Sequence, residues 1–409
     1  MNVVNPRCCG IDVHNAVVVA CLRAVQEDGK VRKETREFST MYRDLLALGD
    51  WLRNEGCKVV AMESTGVYWK PVYHVLSGDC EVIVGNPQDM KRRAGKKTDR
   101  VDADWISELL AHGLVPPSFI PPPEIRALRD LTRLRVQLVN QRAQAKNRVH
   151  KLLQDCNVKL SCVASDIFGK SGRAMLDALV AGERDPAVLA QLALKRLRRK
   201  IPELELALQG AFTEHHAFIV RISLEEIDSL SRQIEEIERH IGDLIKPYGT
   251  HIEQMSSIPG VDTTAAAAII AEIGADASRF GSDKRLASWA CVSPGNDISA
   301  GKRRSGRTNH GNPWLRRILV QCAWAARRTD TYFGRTFCRL QARIGGKKAA
   351  LAVAHKILVI IYHLLVEGTF YEEQRYDRPN PRQEVAAKQR AIKALERLGY
   401  KVALEAVAS

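Results

Sequence analysis

Five prolines fall within residues 116–123, at Pro116, Pro117, Pro121, Pro122 and Pro123, and they divide the chain into two stretches with different hydrophobic periodicity. Proline offers no N–H to a helix interior or a central strand, so a run this dense ends whatever precedes it. Before the break, residues 7 to about 112 alternate. Val17 to Leu22 and Val82 to Val84 are β-branched runs of strand length, whereas Tyr42 to Asn54 and Tyr68 to Leu76 have helical spacing. This predicts an α/β domain over residues 1–115, opening on a hairpin between Gly10–Val13 and Ala16–Leu22.

From Glu124 the pattern turns helical for most of the next stretch, and residues 116–250 are expected to form a helical linker with a coiled coil. Ile227, Leu230, Ile234, Ile237, Ile241 and Leu244 repeat at alternating three- and four-residue steps, a coiled-coil seam. The helix could pack inside a bundle, but its charged flanks favour self-association, since an exposed seam needs a partner. After Pro247 a mainly α domain is expected over residues 251–370, followed by a polar, peripheral tail at 371–409. It opens with SSIPGVDTTAAAAIIAEIG, which resembles a helix-hairpin-helix element, a module that grips a phosphate with backbone amides. Asp262 stands where that hairpin usually has glycine, which leaves a packing role equally open.

With 409 residues and 45% hydrophobic content, the chain can bury several cores. Its 62 lysines and arginines outnumber 47 acidic residues, for a net charge of +15, so a polyanion, nucleic acid first, is the expected partner. Ten cysteines without a CxxC pair argue against a zinc ribbon or a disulfide framework and suit a reducing cytoplasm. No secretory signal pattern is read at the start. The longest apolar stretch, Ala349 to Val366, is interrupted by His355, Lys356 and His363, so a buried helix is expected there and no membrane function.

Four acids stand out by context: Asp12 in CGIDVHN, Glu63 in VVAMESTG, and Asp99 and Asp102 in KKTDRVDAD. Any one alone reads as a solvated carboxylate or a helix cap. Asp12 and Glu63, however, lie in apolar strand-like runs where an unpaired carboxylate is costly, and Asp99 and Asp102 share a helix face. Carboxylates converging from separate segments suit Mg2+ and phosphodiester cleavage. Cations crowd beside them at Lys91, Arg92, Arg93, Lys96, Lys97 and Arg100. Further clusters lie at Lys195, Arg196, Arg198, Arg199 and Lys200, and at Lys302, Arg303, Arg304, Arg307, Arg316 and Arg317. Three such runs point to extended nucleic-acid contact.

Residues 291–317, CVSPGNDISAGKRRSGRTNHGNPWLRR, form a long basic loop between helical patterns, with Ser293, Ser299 and Ser305 as candidate nucleophiles. Serine needs nearby cations to act as one, and Ser299 has Lys302, Arg303 and Arg304 close in sequence. On chemistry alone each serine still reads as a turn residue.

Taken as a set, GIDVH, MESTGVYW, KKTDRVDADW, SIPGV with AEIG, and SAGKRRSGRTNHGN with WLRR resemble the DEDD-type transposases of the insertion-sequence-110 family. The resemblance runs from about residue 7 to 328, departing at Ile298 and Asp262. It implies a RuvC-like domain of ribonuclease-H fold whose metal-binding quartet falls on Asp12, Glu63, Asp99 and Asp102, with Asp104 outside the quartet. It also implies a C-terminal transposase domain whose nucleophilic serine is Ser299. Implied partners are donor and target DNA, a structured bridge RNA that pairs with both, and further copies of the chain. A dimer assembling to a tetramer would bring the acidic domain of one subunit to the serine domain of another. The expected function is recombination of a mobile element. Alternatives are a metal-dependent junction endonuclease without serine catalysis and a non-catalytic nucleic-acid-binding scaffold.

Overall fold

A computed structural model describes residues 3–26, 29–64, 66–86, 99–293, 297–299, 302–305, 311–377 and 381–403; of these, 99–101, 297–299, 302–305, 381–387 and 390 are described by backbone alone. The chain forms two compact units, Met1–Ile120 and Pro121–Ser409.

In the first unit, strands β1 (Arg7–Val13), β2 (Val17–Val25), β3 (Val31–Ser39), β4 (Val59–Glu63) and β5 (Glu81–Gly85) form a sheet in the order β3-β2-β1-β4-β5. The first three are antiparallel, and β4 and β5 continue parallel to β1. Helices α1 (Tyr42–Asn54) and α2 (Trp69–Leu76) provide the return crossovers. Alternate residues explain the layers. Cys9, Ile11, Val13, Val60 and Met62 face Leu45, Leu48, Leu52, Val72 and Leu76 of α1 and α2. Cys8 and Ala61 face the other way, against Ile106, Leu109 and Leu110 of helix α3 (Asp99–Ala111). The opening hairpin and both helices appear where their spacing predicts. Strand β3 has no counterpart in the sequence reading: its VRKETREFS is exposed along most of its length and shows no apolar alternation.

The second unit is built on two long helices, α4 (Pro123–Asp155) and, after an insertion, α8 (Glu214–Leu244). They run antiparallel, as the pairs Arg135–Glu238, Arg142–Ser231 and Arg148–Glu226 show. The insertion holds α5 (Lys170–Val180), α6 (Pro186–Gln191), a basic 3-10 segment (Lys195–Lys200) and α7 (Ile201–Ala207), with a core of its own around Leu160, Met175, Leu176, Leu189 and Leu204. The coiled-coil seam requires a correction. Ile227, Leu230, Ile234, Ile237 and Ile241 are buried within this chain, where α8 lies along α4. An uncovered seam therefore no longer argues for self-association, because the alternating spacing had found an intramolecular partner. Burial of each of these side chains contributes roughly 1.5–3 kcal/mol as an upper estimate.

The root of that pair joins α9 (Gly249–Ser256), α10 (Thr263–Ile273), α11 (Asp283–Trp289), α12 (Pro313–Ala326), α13 (Tyr332–Ile344) and α14 (Gly346–Glu367) around one core. Between α11 and α12 lies a small antiparallel hairpin, β6 (Asp297–Ser299) with β7 (Lys302–Ser305). Helix α14 is long and apolar enough to cross a membrane by composition. Ala350, Val353, Ala354, Ile357, Ile361 and Leu364 are instead packed into the core, as the sequence predicts. Helix α15 (Pro381–Arg397) follows near the C-terminus.

Candidate active site

Asp12 and Glu63 meet through strand register. Parallel strands β1 and β4 pair Gly10 with Ala61 and Ile11 with Met62. Asp12 and Glu63 come next on each strand, so they emerge side by side on one face of the sheet. It is the α3 face, since Cys8 and Ala61 share it.

The same register brings α3 over them. Val4 N donates to Ala111 O at 2.8 Å, Asn5 Nδ2 to Leu110 O at 2.8 Å and Cys8 Sγ to Ser107 O at 3.5 Å, so the helix descends antiparallel to β1. At Gly10 the two backbones touch: a Cβ there would lie 2.2 Å from Ala103 O. Two residues further along the strand, about 6.6 Å, correspond to about four residues back along the helix. Asp12 is therefore level with the first turn of α3, which begins at Asp99 and contains the half-buried Asp102. Three segments remote in sequence thus bring their acidic positions to one end of the sheet.

Asp12 is largely buried, with 16% of its side chain exposed, and His14 Nε2 lies 3.1 Å from its Oδ2. A carboxylate this secluded needs cationic or hydrogen-bonding company. Among the described residues, no three His, Cys, Asp or Glu groups approach closely enough to hold a metal ion. The Asp99 side chain lies outside them. The donor set is nevertheless chemically suited to a divalent cation, because every group offered is a hard carboxylate oxygen. Burial pushes the neighbouring Cys8 thiol up to about 11 and Cys9 well above its ordinary range.

Asp104, two residues past Asp102, belongs to a different network. Its Oδ1 accepts from Arg23 Nη2 at 2.9 Å and its Oδ2 from Lys33 Nζ at 2.8 Å. Arg23 is 7% exposed and also donates to Ser107 Oγ at 3.2 Å. This acid and its partners bind α3 to strands β2 and β3.

In the second unit, Ser299 pairs with Lys302 across the β6–β7 hairpin, and Ile298 pairs with Arg303. Arg304 lies on β7 as well. The backbone therefore gathers serine and cations into one short ribbon. Ser305 ends β7, and Ser293 lies before the hairpin with its Oγ 3.4 Å from His355 Nδ1. Burial lowers the His355 pKa, which favours the neutral ring. Lys91, Arg92, Arg93, Lys96, Lys97 and Arg307 lie outside the described residues, and Arg100 is described only as backbone in the first turn of α3.

The hairpin opening the C-terminal region has a packing role. Asp262 caps α10 by accepting from Ala265 N at 2.7 Å, placing a carboxylate where an anion would otherwise sit. Gly260, at φ +90°, approaches α12 so closely that a Cβ would lie 2.6 Å from Cys322 O. The contribution of Gly10 to the acidic site has no counterpart in the sequence reading. Gly10 preceding the acid by two residues is the sole local signal for close approach of a second element.

An acid-bearing sheet of this strand order, followed by a helical unit with a basic serine ribbon, is consistent with a DEDD, ribonuclease-H-like transposase architecture. Comparison with known families agrees. A DEDD transposase profile of IS110 type matches residues 9–158, and a profile described as transposase IS116/IS110/IS902 family matches residues 252–338. The chain belongs to the IS110 family of transposases. It is 24% identical over 323 residues to the transposase for insertion sequence element IS1328 of Yersinia enterocolitica, covering 77% of this chain and 86% of that protein. It is 27% identical over 267 residues to a Sinorhizobium fredii protein described as "Putative transposase y4qE", covering 64% of this chain and 56% of that one.

Proposed function

We propose that this transposase cuts and rejoins donor and target DNA with two kinds of catalytic group. Asp12, Glu63, Asp99 and Asp102 would hold Mg2+, which when bound offsets the negative charge of the scissile phosphate. Ser299 is the nucleophile. Its Oγ attacks phosphorus as its proton departs, one P–O bond to the sugar breaks, and the leaving oxygen takes up a proton. DNA is then joined to the protein through a phosphoserine ester, and attack by the hydroxyl of the exchanged strand reverses the step. Lys302, Arg303, Arg304 and Arg307 stabilise the charge that develops.

The observation that carries this reading is the register alignment of Asp12 with Glu63 beneath the first turn of α3. A surface-acid explanation gives no reason for that convergence. The cations at Lys91, Arg92, Arg93, Lys96, Lys97, Arg100 and along the 3-10 segment would hold nucleic-acid backbone. Family resemblance extends the reading to a bridge RNA that supplies sequence choice by base pairing, and to dimers assembling into tetramers in the cytoplasm.

The test is cleavage of element-end DNA by single variants, with and without Mg2+. Asp12→Asn and Ser299→Ala should each abolish cleavage, and denaturing gels of the native protein should show protein-linked DNA. Cleavage that needs Mg2+ and the four acids but survives Ser299→Ala would instead identify a metal-dependent endonuclease. DNA binding without any cleavage by the native protein, unchanged by Asp12→Asn, would identify a scaffold.

A further inference from the structure

Glu272, the acid of the AEIG motif at the end of α10, is 1% exposed and takes no part in the chemistry proposed above. A carboxylate buried this deeply is costly unless every oxygen is bonded. Arg133 of α4 grips it with both nitrogens, Nε to Oε1 and Nη2 to Oε2, each at 2.8 Å. Arg129, one turn earlier, donates to the carbonyls of Ala271 and Glu272 at 2.9 and 2.7 Å, where the end of α10 leaves them unpaired.

The remaining donor comes from the far side of the serine ribbon. Asn312 Nδ2 donates to Glu272 Oε2 at 2.5 Å. Its Oδ1 accepts from Trp314 N at 3.0 Å and Leu315 N at 3.1 Å, which caps α12. This fixes the amide orientation, because reversing it would set oxygen against carboxylate. The other end of the ribbon segment lies beside this one. A Cβ on Gly311 would be 2.3 Å from Cys291 Sγ and 2.7 Å from Trp289 O. The two strands of chain entering and leaving β6–β7 are thus pressed together, and the leaving strand is tied to Glu272.

We infer that Glu272 is a positioning residue for Ser299, acting through Asn312 to set where the ribbon leaves the core. This rests on the reading of Ser299 as nucleophile, and it explains an ionic group where an apolar one would pack more cheaply: a hydrogen-bonded carboxylate specifies one docking geometry. Displacing a reacting group by about 1 Å costs on the order of a hundredfold in rate.

A donor–acceptor swap tests it. Asn312→Asp keeps the oxygen that caps α12 but turns the donor facing Glu272 into a second carboxylate. Adding Glu272→Gln restores a donor in the opposite direction and conserves the net charge of the cluster, with Arg133 keeping its Nε bond to the amide oxygen and losing its Nη2 bond. Cleavage at saturating DNA should fall about tenfold or more in Asn312→Asp, with DNA affinity little changed, and should recover in part in the double variant. Amide exchange at residues 302–305 should quicken in Asn312→Asp and slow again in part in the double variant, whichever group attacks DNA. Unaltered exchange and rate in Asn312→Asp, or loss of both that the second substitution does not repair even in part, would overturn the positioning role. Exchange that follows the swap while Ser299→Ala still cleaves would leave the latch standing and remove the serine reading instead.

Discussion

Gly10 of β1 lies so tightly beneath Ala103 of α3 that an added Cβ would fall 2.2 Å from the Ala103 carbonyl oxygen. The contact sets the height of the helix above the sheet, and with it the distance from Asp12 to the first turn of α3. No side chain yields here, since the opposing atoms are backbone.

Gly10→Ala is therefore predicted to lift α3. The expected cost is about 3 kcal/mol, near the upper end of overpacking, and Mg2+-dependent cleavage should be lost in any protein that remains folded. Thermal unfolding and cleavage assays on the same preparation check this. A variant with native melting and native activity would show that the helix does not depend on this contact.

Asp102 and Asp104 should separate cleanly. Asp102→Asn is expected to abolish cleavage with little change in melting. Asp104→Asn loses its charge and one of its two bonds to Arg23 and Lys33, at a cost of about 1 kcal/mol after allowing for solvent screening of a partly exposed acid. It should retain cleavage at permissive temperature. The reverse pattern would reassign the two acids.

The basic 3-10 segment offers a third test. Lys195, Arg196, Arg198 and Arg199 are exposed, and among the described residues none of them makes an ion pair, whereas Lys200 lies 3.9 Å from Glu203. Changing the four to glutamine should weaken nucleic-acid binding and lower the slope of log affinity against log salt by about 3. The cleavage rate at saturating substrate should be unchanged. Binding titrations between low and moderate salt measure this directly, and an unaltered slope would exclude the segment from the interface.

His355 gives a pH dependence. Burial holds its folded pKa below the ordinary value of 6.5. Below that value the unfolded chain takes up a proton that the folded one refuses, so stability falls as pH drops from 6.5 toward the folded pKa. His355→Gln should remove this component, and melting temperatures of the two proteins at pH 7.5 and 5.5 report it. Parallel curves would contradict the assignment.

How much of this was legible in sequence depended on whether a feature was local. Tyr42–Asn54 declared its helix by spacing alone, and the acids stood out because Asp12 and Glu63 interrupt apolar strands. The meeting of Asp12 with α3 was not legible, because it is made by Gly10 approaching a helix remote in sequence. Strand β3 was hidden by its charged, exposed faces, and it forms because β2 offers a long open edge. The seam at Ile227–Ile241 favoured self-association in sequence, because a three- and four-residue repeat is the same whether its partner is another chain or α4. Glu272 sits in an alanine-rich helical run with nothing local to mark it. Only packing shows that Arg133 and Asn312 converge on it.

The most direct measurement is mass-spectrometric mapping of the peptide left attached to DNA after the native protein reacts with a nicked element-end substrate in Mg2+. A single phosphoester on Ser299 is expected, absent when Asp12 is changed to asparagine. Cleaved DNA with no attached peptide, or a linkage on Ser293 or Ser305, would contradict it.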